Sequence, residues 1–131
     1  MKKLLGIFLT IILLTTAVNA QNFVLHNAAV DSGSNVSSAV TLAPGYWLKT
    51  IYFPDMAAST TSFKILAYNY AKSAYDTLYY DSEVYNPTIS RFSCPVSVNA
   101  NAVFGIQKFK ILLPANQTAD IVIKVAAIKQ D

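Results

Sequence analysis

The side chains able to do chemistry are concentrated in one stretch, AYDTLYYDSEVY, residues 74–85, which holds four tyrosines and three acids. A general acid–base pair needs two carboxylates converging on one reacting bond. Strand alternation puts Asp81 and Glu83 on one face and Asp76 on the other, which argues against such a pair. A calcium loop would use the same oxygens, but the D-x-D-x-D spacing and its glycine are missing. Solvated carboxylates that limit edge pairing, or that meet Lys72 across a turn, are the simpler reading. The sole histidine, His26, lies far in sequence from the sole cysteine, Cys94, and Cys94 reads as a small buried hydrophobe in a strand. Neither a G-x-S-x-G elbow, nor a phosphate loop, nor histidine-rich metal spacing occurs. The sequence therefore predicts no enzyme, no metal and no cofactor.

Tyrosine offers a broad apolar face with a polar tip, which suits sugar stacking and protein interfaces. In the 74–85 stretch, alternation sets Leu78 and Tyr80 on one face and Tyr75, Thr77 and Tyr79 on the other. With Leu78 turned inward, Tyr80 is expected in the core and Tyr75 and Tyr79 outside it or in cross-strand contact. The alternative is that these rings pack within the fold, against Trp47 and Tyr68. Six tyrosines in this region (68, 70, 75, 79, 80 and 85) exceed what one small core needs. The candidate partner-binding residues are accordingly Tyr75, Tyr79, Trp47 and Tyr70.

The elements that must position these rings read as strands throughout. Apolar alternation recurs over residues 23–30, 36–43, 46–53, 62–70, 77–80, 88–98, 106–113 and 120–128. In IQKFKILL, Phe109, Ile111 and Leu113 alternate with Lys108 and Lys110, so one face is buried and one is wet. Pro44-Gly45, Pro54-Asp55 and Asn86-Pro87 punctuate the strands, and Pro114-Ala115-Asn116 is expected to turn a closing hairpin. Seven or eight short strands with such turns predict an all-β fold, an antiparallel β-sandwich or jelly roll, over residues 21–131.

Residues 1–20 have a different grammar. Two lysines precede an uncharged apolar run over residues 4–18, and Val18-Asn19-Ala20 resembles a cleavage site before Gln21. This reads as a signal peptide; the alternative is a retained hydrophobic helix anchoring the domain to a membrane, although a span needs about 20 apolar residues. Membrane contact is expected only through this segment. Beyond it, eight basic residues face seven acidic ones and are dispersed, so no nucleic-acid footprint is expected. With one cysteine no intrachain disulfide can form, and the core alone must hold the domain.

Several spaced motifs carry a resemblance. They are DSGSNVSSAVTL, a strand ending IYFP, SFKIL, YDTLYYDSEV and the closing NQTADIVIKV. Their order resembles that of small β-sandwich structural proteins of tailed phages and prophages, of capsid-decoration or spike type. The resemblance implies a non-enzymatic virion component (a capsid decoration, head spike or tail-associated module) that works by assembly and surface presentation. It implies partners among other virion proteins or further copies of the chain, and a place on the virion surface. The chain departs from that pattern at Met56-Ala57-Ala58, where the family usually has a tryptophan, and at Tyr68-Asn69-Tyr70-Ala71-Lys72, where it favours an Asp-Gly turn. The leader is the larger departure, because tailed-phage proteins assemble in the cytoplasm. The other expectation is an exported bacterial module, extracellular, periplasmic or on the cell surface, that binds glycan or protein.

Overall fold

A computed structural model describes residues 23–56, 61–89 and 95–129. Ten strands occur among them and no helix. They are β1 (Phe23–Val30), β2 (Val40–Thr41), β3 (Tyr46–Tyr52), β4 (Lys64–Asn69) and β5 (Ala74–Thr77), then β6 (Tyr79–Tyr80), β7 (Glu83–Val84), β8 (Pro95–Ser97), β9 (Lys108–Leu112) and β10 (Ile121–Lys129). One four-stranded sheet runs β1-β10-β3-β8, a second runs β2-β9-β4-β5, and β6 and β7 form a separate hairpin. Every strand pair is antiparallel.

β10 organises the first sheet. Its alternation buries Ile123, Val125 and Ala127 while Val122 and Lys124 stay exposed. It pairs with β1 from Phe23↔Ile128 to Val30↔Ile121 without a shift, and with β3 through a bulge at Ala126/Ala127. β9 does the same for the second sheet, burying Phe109 and Ile111 between β2 and β4. The buried rows of both sheets meet in one core: Ala28 and Val30 of β1, Leu48 and Ile51 of β3, and Ile65 of β4 all belong to it. Phe53 and Phe63, at the ends of the connection between β3 and β4, meet at a tilt of 48° with ring centroids 5.0 Å apart within that core. Each such side chain contributes about 1.5–3 kcal/mol through removal from water.

Turn chemistry explains several connections. Between β2 and β3, Pro44 sets one turn residue and Gly45 takes φ +81°, while the Tyr46 N–H donates to the Ala43 carbonyl at 3.0 Å. That combination is a proline–glycine turn of type II, in which the positive φ excludes most side chains. The loop after β1 is zipped to the loop before β10. Gly33 N–H donates to the Gln117 carbonyl at 2.8 Å, Gln117 N–H to the Ser34 carbonyl at 2.9 Å, and Ser32 N–H to the Asp120 carboxylate at 2.8 Å. The DSGSN and NQTAD motifs, some eighty residues apart in sequence, are therefore two halves of one hydrogen-bonded structure.

Four expectations need correction. Residues 36–43 do not form one strand. Val36 makes an isolated bridge to Leu112, and the Ser37 hydroxyl takes the Ile111 N–H at 2.9 Å in place of a ladder bond, leaving only Val40–Thr41 as strand. Residues 77–80 are split, because Leu78 leaves the ladder between β5 and β6. Within 88–98 the described part holds one bridge at Thr88 and the short β8. Residues 106–113 and 120–128 do not close a hairpin: the loop at Pro114 carries the chain from one sheet to the other, where β10 inserts between β1 and β3. The leader helix and Cys94 lie outside the described residues.

Phe109 is fully buried at the junction of β2, β9 and β4. Phe109→Ala is expected to cost about 3–5 kcal/mol, read as a lowered denaturation midpoint in urea at unchanged slope.

Candidate functional site

The tyrosine-rich region is built on β4, the turn over residues 70–73, and β5. Register pairs Leu66 with Thr77 and Tyr68 with Tyr75, and on the other side of β4 it pairs Leu66 with Lys110. Directly opposed residues of neighbouring strands share a face. Since Ile65, Phe109 and Ile111 point into the core, Leu66, Tyr68, Tyr75, Thr77, Lys108 and Lys110 all lie on the outer face of the second sheet. Continuing the β4–β9 register by one step sets Lys108 beside Tyr68, and Lys108 in turn pairs with Thr41 of β2. One row thus crosses all four strands, Thr41–Lys108–Tyr68–Tyr75, over about 14 Å at ordinary strand spacing.

The side chains in this row converge. The Tyr68 ring meets Tyr70 edge-on at 5.0 Å and Tyr75 edge-on at 5.1 Å. Lys108 Nζ sits 4.1 Å from the Tyr68 ring centroid and 5.9 Å from that of Tyr75, while Lys110 Nζ lies 4.7 Å from Tyr75. Each cation–π contact at an accessible site is worth about 0.5–1 kcal/mol, and each edge-on ring pair about 0.5–1.5 kcal/mol. These contacts hold two ammonium groups over one aromatic platform. Neither ammonium has a carboxylate partner among the described residues.

The neighbouring acid is engaged elsewhere. The Asp76 carboxylate accepts from Asn69 Nδ2 at 2.8 Å and from Lys72 Nζ at 3.0 Å, the turn-spanning ion pair the sequence allowed for. Asn69 also caps the turn, its Oδ1 accepting the Ala71 N–H at 3.0 Å. The Asn69 bond first and the Lys72 bond next, with a lesser contribution from the Lys72 charge, hold the Asp76 carboxyl below the usual aspartate value against an opposing effect of desolvation.

The rest of the 74–85 stretch is a hairpin. Leu78 packs on the core and its N–H donates to the Ile65 carbonyl at 2.9 Å. β6 and β7 then pair Tyr79 with Val84 and Tyr80 with Glu83 around Asp81 and Ser82, whose φ values of 51° and 69° are those of a two-residue primed turn. The expected shared strand face of Asp81 and Glu83 is therefore corrected, since a turn separates them. Tyr80 is half-buried rather than central to the core, and Tyr79 is 60% exposed. Tyr85 packs against the core, its Oη accepting the Asn99 N–H at 2.9 Å. Burial raises the Tyr85 hydroxyl above the usual tyrosine value, partly offset by that bond.

Of the four residues singled out from sequence, Tyr70 and Tyr75 come together through Tyr68. Tyr79 projects from the hairpin, and Trp47 lies in the first sheet, edge-on to Phe104 at 4.5 Å. Lys108 and Lys110 read in sequence as outward solubilising charges. Only the strand register, which periodicity does not supply, brings them over the tyrosines. His26 is half-buried in β1 opposite Val125. Among the described residues no group of three or more His, Cys, Asp or Glu side chains could hold a metal ion, and no helix is long and apolar enough to cross a membrane. A cleft of about 400 Å³ near Asn35, Ser62, Asn86 and Pro114 has Lys64 as its single ionisable lining residue among the described residues.

No protein-family model matches the chain, and no curated protein matches it. Among solved structures it is similar to the crystal structure of Yersinia pseudotuberculosis-derived mitogen, with 11% identity and a TM-score of 0.39 over 85% of this chain and 88% of that one.

The Asp76 contacts make a pH-dependent contribution to stability. A carboxyl whose folded value lies below its unfolded one stabilises the fold above the unfolded value, and the benefit is lost as pH falls through the folded value. An NMR titration of the Asp76 carboxyl is expected to give a midpoint below that of an unfolded-chain aspartate. Asn69→Ala and Lys72→Met should each raise that midpoint; no change with either variant would contradict the assignment.

Proposed function

We propose that the chain is a non-enzymatic structural module, an antiparallel β-sandwich that acts by assembly and surface presentation as a virion accessory protein. Two sheets whose apolar rows share one core support the sandwich reading. The observation that carries the assembly reading is the outer side and free edge of the first sheet. Leu25 is 53% exposed, Val122 44% and Tyr52 39%, all set outward by the β1-β10-β3 register. By that register Val122 and Tyr52 are diagonal neighbours, while Asn27 and Lys124 lie between Val122 and Leu25, which stands at the β1 edge.

The edge points to the partner. β1 ends the first sheet. Ala29 directs its N–H and carbonyl away from β10, toward the Ser38 hydroxyl and N–H, at 3.0 and 2.7 Å. By strand alternation the N–H and carbonyl groups of Leu25 and Asn27 face the same way, and they have no partner among the described residues. Such an edge pairs readily with another strand. Antiparallel pairing of two β1 edges about a two-fold axis satisfies these groups and buries Leu25 in both copies. A homo-oligomer with continuous sheets is the arrangement proposed, on a particle surface where other virion proteins supply further contacts.

A second reading, an exported surface module that binds glycan or protein, is favoured by the Tyr68–Tyr75–Lys108 row. The two readings separate on the protein's N-terminus and its setting. Electron microscopy of particles should show stoichiometric, symmetric copies if the module is a virion component, whereas purified protein starting at Gln21 and absent from particles would support the exported form. In either setting, sedimentation equilibrium should show self-association that Leu25→Lys abolishes with the fold intact by circular dichroism. A monomer at every accessible concentration would overturn the edge-paired assembly.

A further inference from the structure

The outer face of the second sheet points to a site of its own. We propose that Lys108, Lys110, Tyr68, Tyr70 and Tyr75 form a binding site for an acidic saccharide, one carrying carboxylate or sulfate groups. The inference rests on the reading of the chain as a surface module, on a virion or an envelope, and it does not depend on edge pairing by β1.

Three features carry it. The first is charge without compensation: Lys108 Nζ and Lys110 Nζ lie 5.9 and 4.7 Å from one ring centroid, that of Tyr75, so both converge on the same spot. The nearby carboxylate, Asp76, is engaged by Asn69 and Lys72. An anion arriving at the row meets two cations that no acid of the described chain neutralises. The second is how those cations are held. Lysine alone is a flexible point charge, but here each head group rests on a ring by a weak contact that an incoming anion can replace with a charge-assisted hydrogen bond. The side chains are set close to their binding positions beforehand, which lowers the ordering cost of association.

The third feature is a free aromatic plane. Tyr68 is occupied on one ring face by Lys108 and at its surroundings by Tyr70 and Tyr75. Tyr70, by contrast, is 68% exposed and held in a T-shaped contact with Tyr68 at the β4–β5 turn, so most of its ring is both positioned and accessible. A sugar ring can lay its C–H face on Tyr70 while its acidic substituent reaches Lys108 or Lys110. A row across four strands suits an extended chain of sugars more than a compact small molecule. An acidic peptide would use the same lysines, but the exposed ring of Tyr70 beside them favours a saccharide.

The test is titration of the full chain with a heparin-type sulfated oligosaccharide, a polyuronate oligosaccharide, a neutral chito-oligosaccharide and a poly-glutamate peptide. The acidic oligosaccharides are expected to bind in a salt-sensitive manner and the neutral one not to bind. Lys108→Gln and Lys110→Gln should each weaken binding about tenfold or more, the loss expected for a hydrogen bond to a charged group. Tyr70→Ala, on an exposed ring, should weaken it with the thermal midpoint unchanged, and Lys49→Gln, at an exposed position of β3 in the other sheet, should leave it unaltered. Absence of binding to either acidic oligosaccharide overturns the site, as does binding indifferent to both lysine substitutions. Equal affinity for poly-glutamate, or indifference to Tyr70→Ala, overturns the saccharide assignment. Failure of the surface-module reading would appear separately, as protein found neither on particles nor outside the cell.

Discussion

The structure depends on the burial of two apolar rows, one on each side of a shared core. β10 supplies Ile123, Val125 and Ala127 from the first sheet, and β9 supplies Phe109 and Ile111 from the second. Each sheet has one such face and cannot leave it in water, so each covers the other. With a single cysteine in the chain, no intrachain disulfide shares this task. The loop from Pro114 to Asp120, zipped to the DSGSN loop, carries the chain from β9 to β10, close in sequence but in different sheets.

Once the inner faces are used in this way, what the molecule can do is left to its outer faces and edges, and these differ in character. The first sheet presents Leu25, Val122 and Tyr52 with a single Lys124–Asn27 bond at 2.7 Å among them, and it ends at β1. The second presents tyrosines overlain by lysines, and its β5 edge leads into the Leu78 break and a separate hairpin. An apolar side with an open edge suits association between copies of a protein. A cationic aromatic side suits a soluble acidic ligand. The proposed division of labour, assembly on one side and recognition on the other, follows from that asymmetry.

Much of the architecture was legible in sequence because alternation reports directly on burial. KFKIL and IVIKV gave their inward residues correctly, and the Pro44-Gly45 turn lies where its composition put it. Connectivity was less legible. Nothing in the spacing of residues 106–113 and 120–128 says that they belong to different sheets, since a short polar loop suits a hairpin or a crossing equally. Residues 77–80 read as one strand, with its alternation carried on to Asp81 and Glu83, because Asp81 and Ser82 take positive φ without a glycine to mark the turn. The candidate site was half legible: the tyrosines were visible as a cluster, but Lys108 is forty residues from Tyr68 and only register joins them.

The central claim is that the two sheets close one core, leaving the outer faces free for function. Native-state hydrogen exchange across β9 and β10 tests it most directly. If one core holds both, their slowest amides should exchange with the same opening free energy, equal to that of global unfolding. If the β9 amides instead exchange through a much smaller opening while β10 stays protected, the sheets are separate units and the account is wrong.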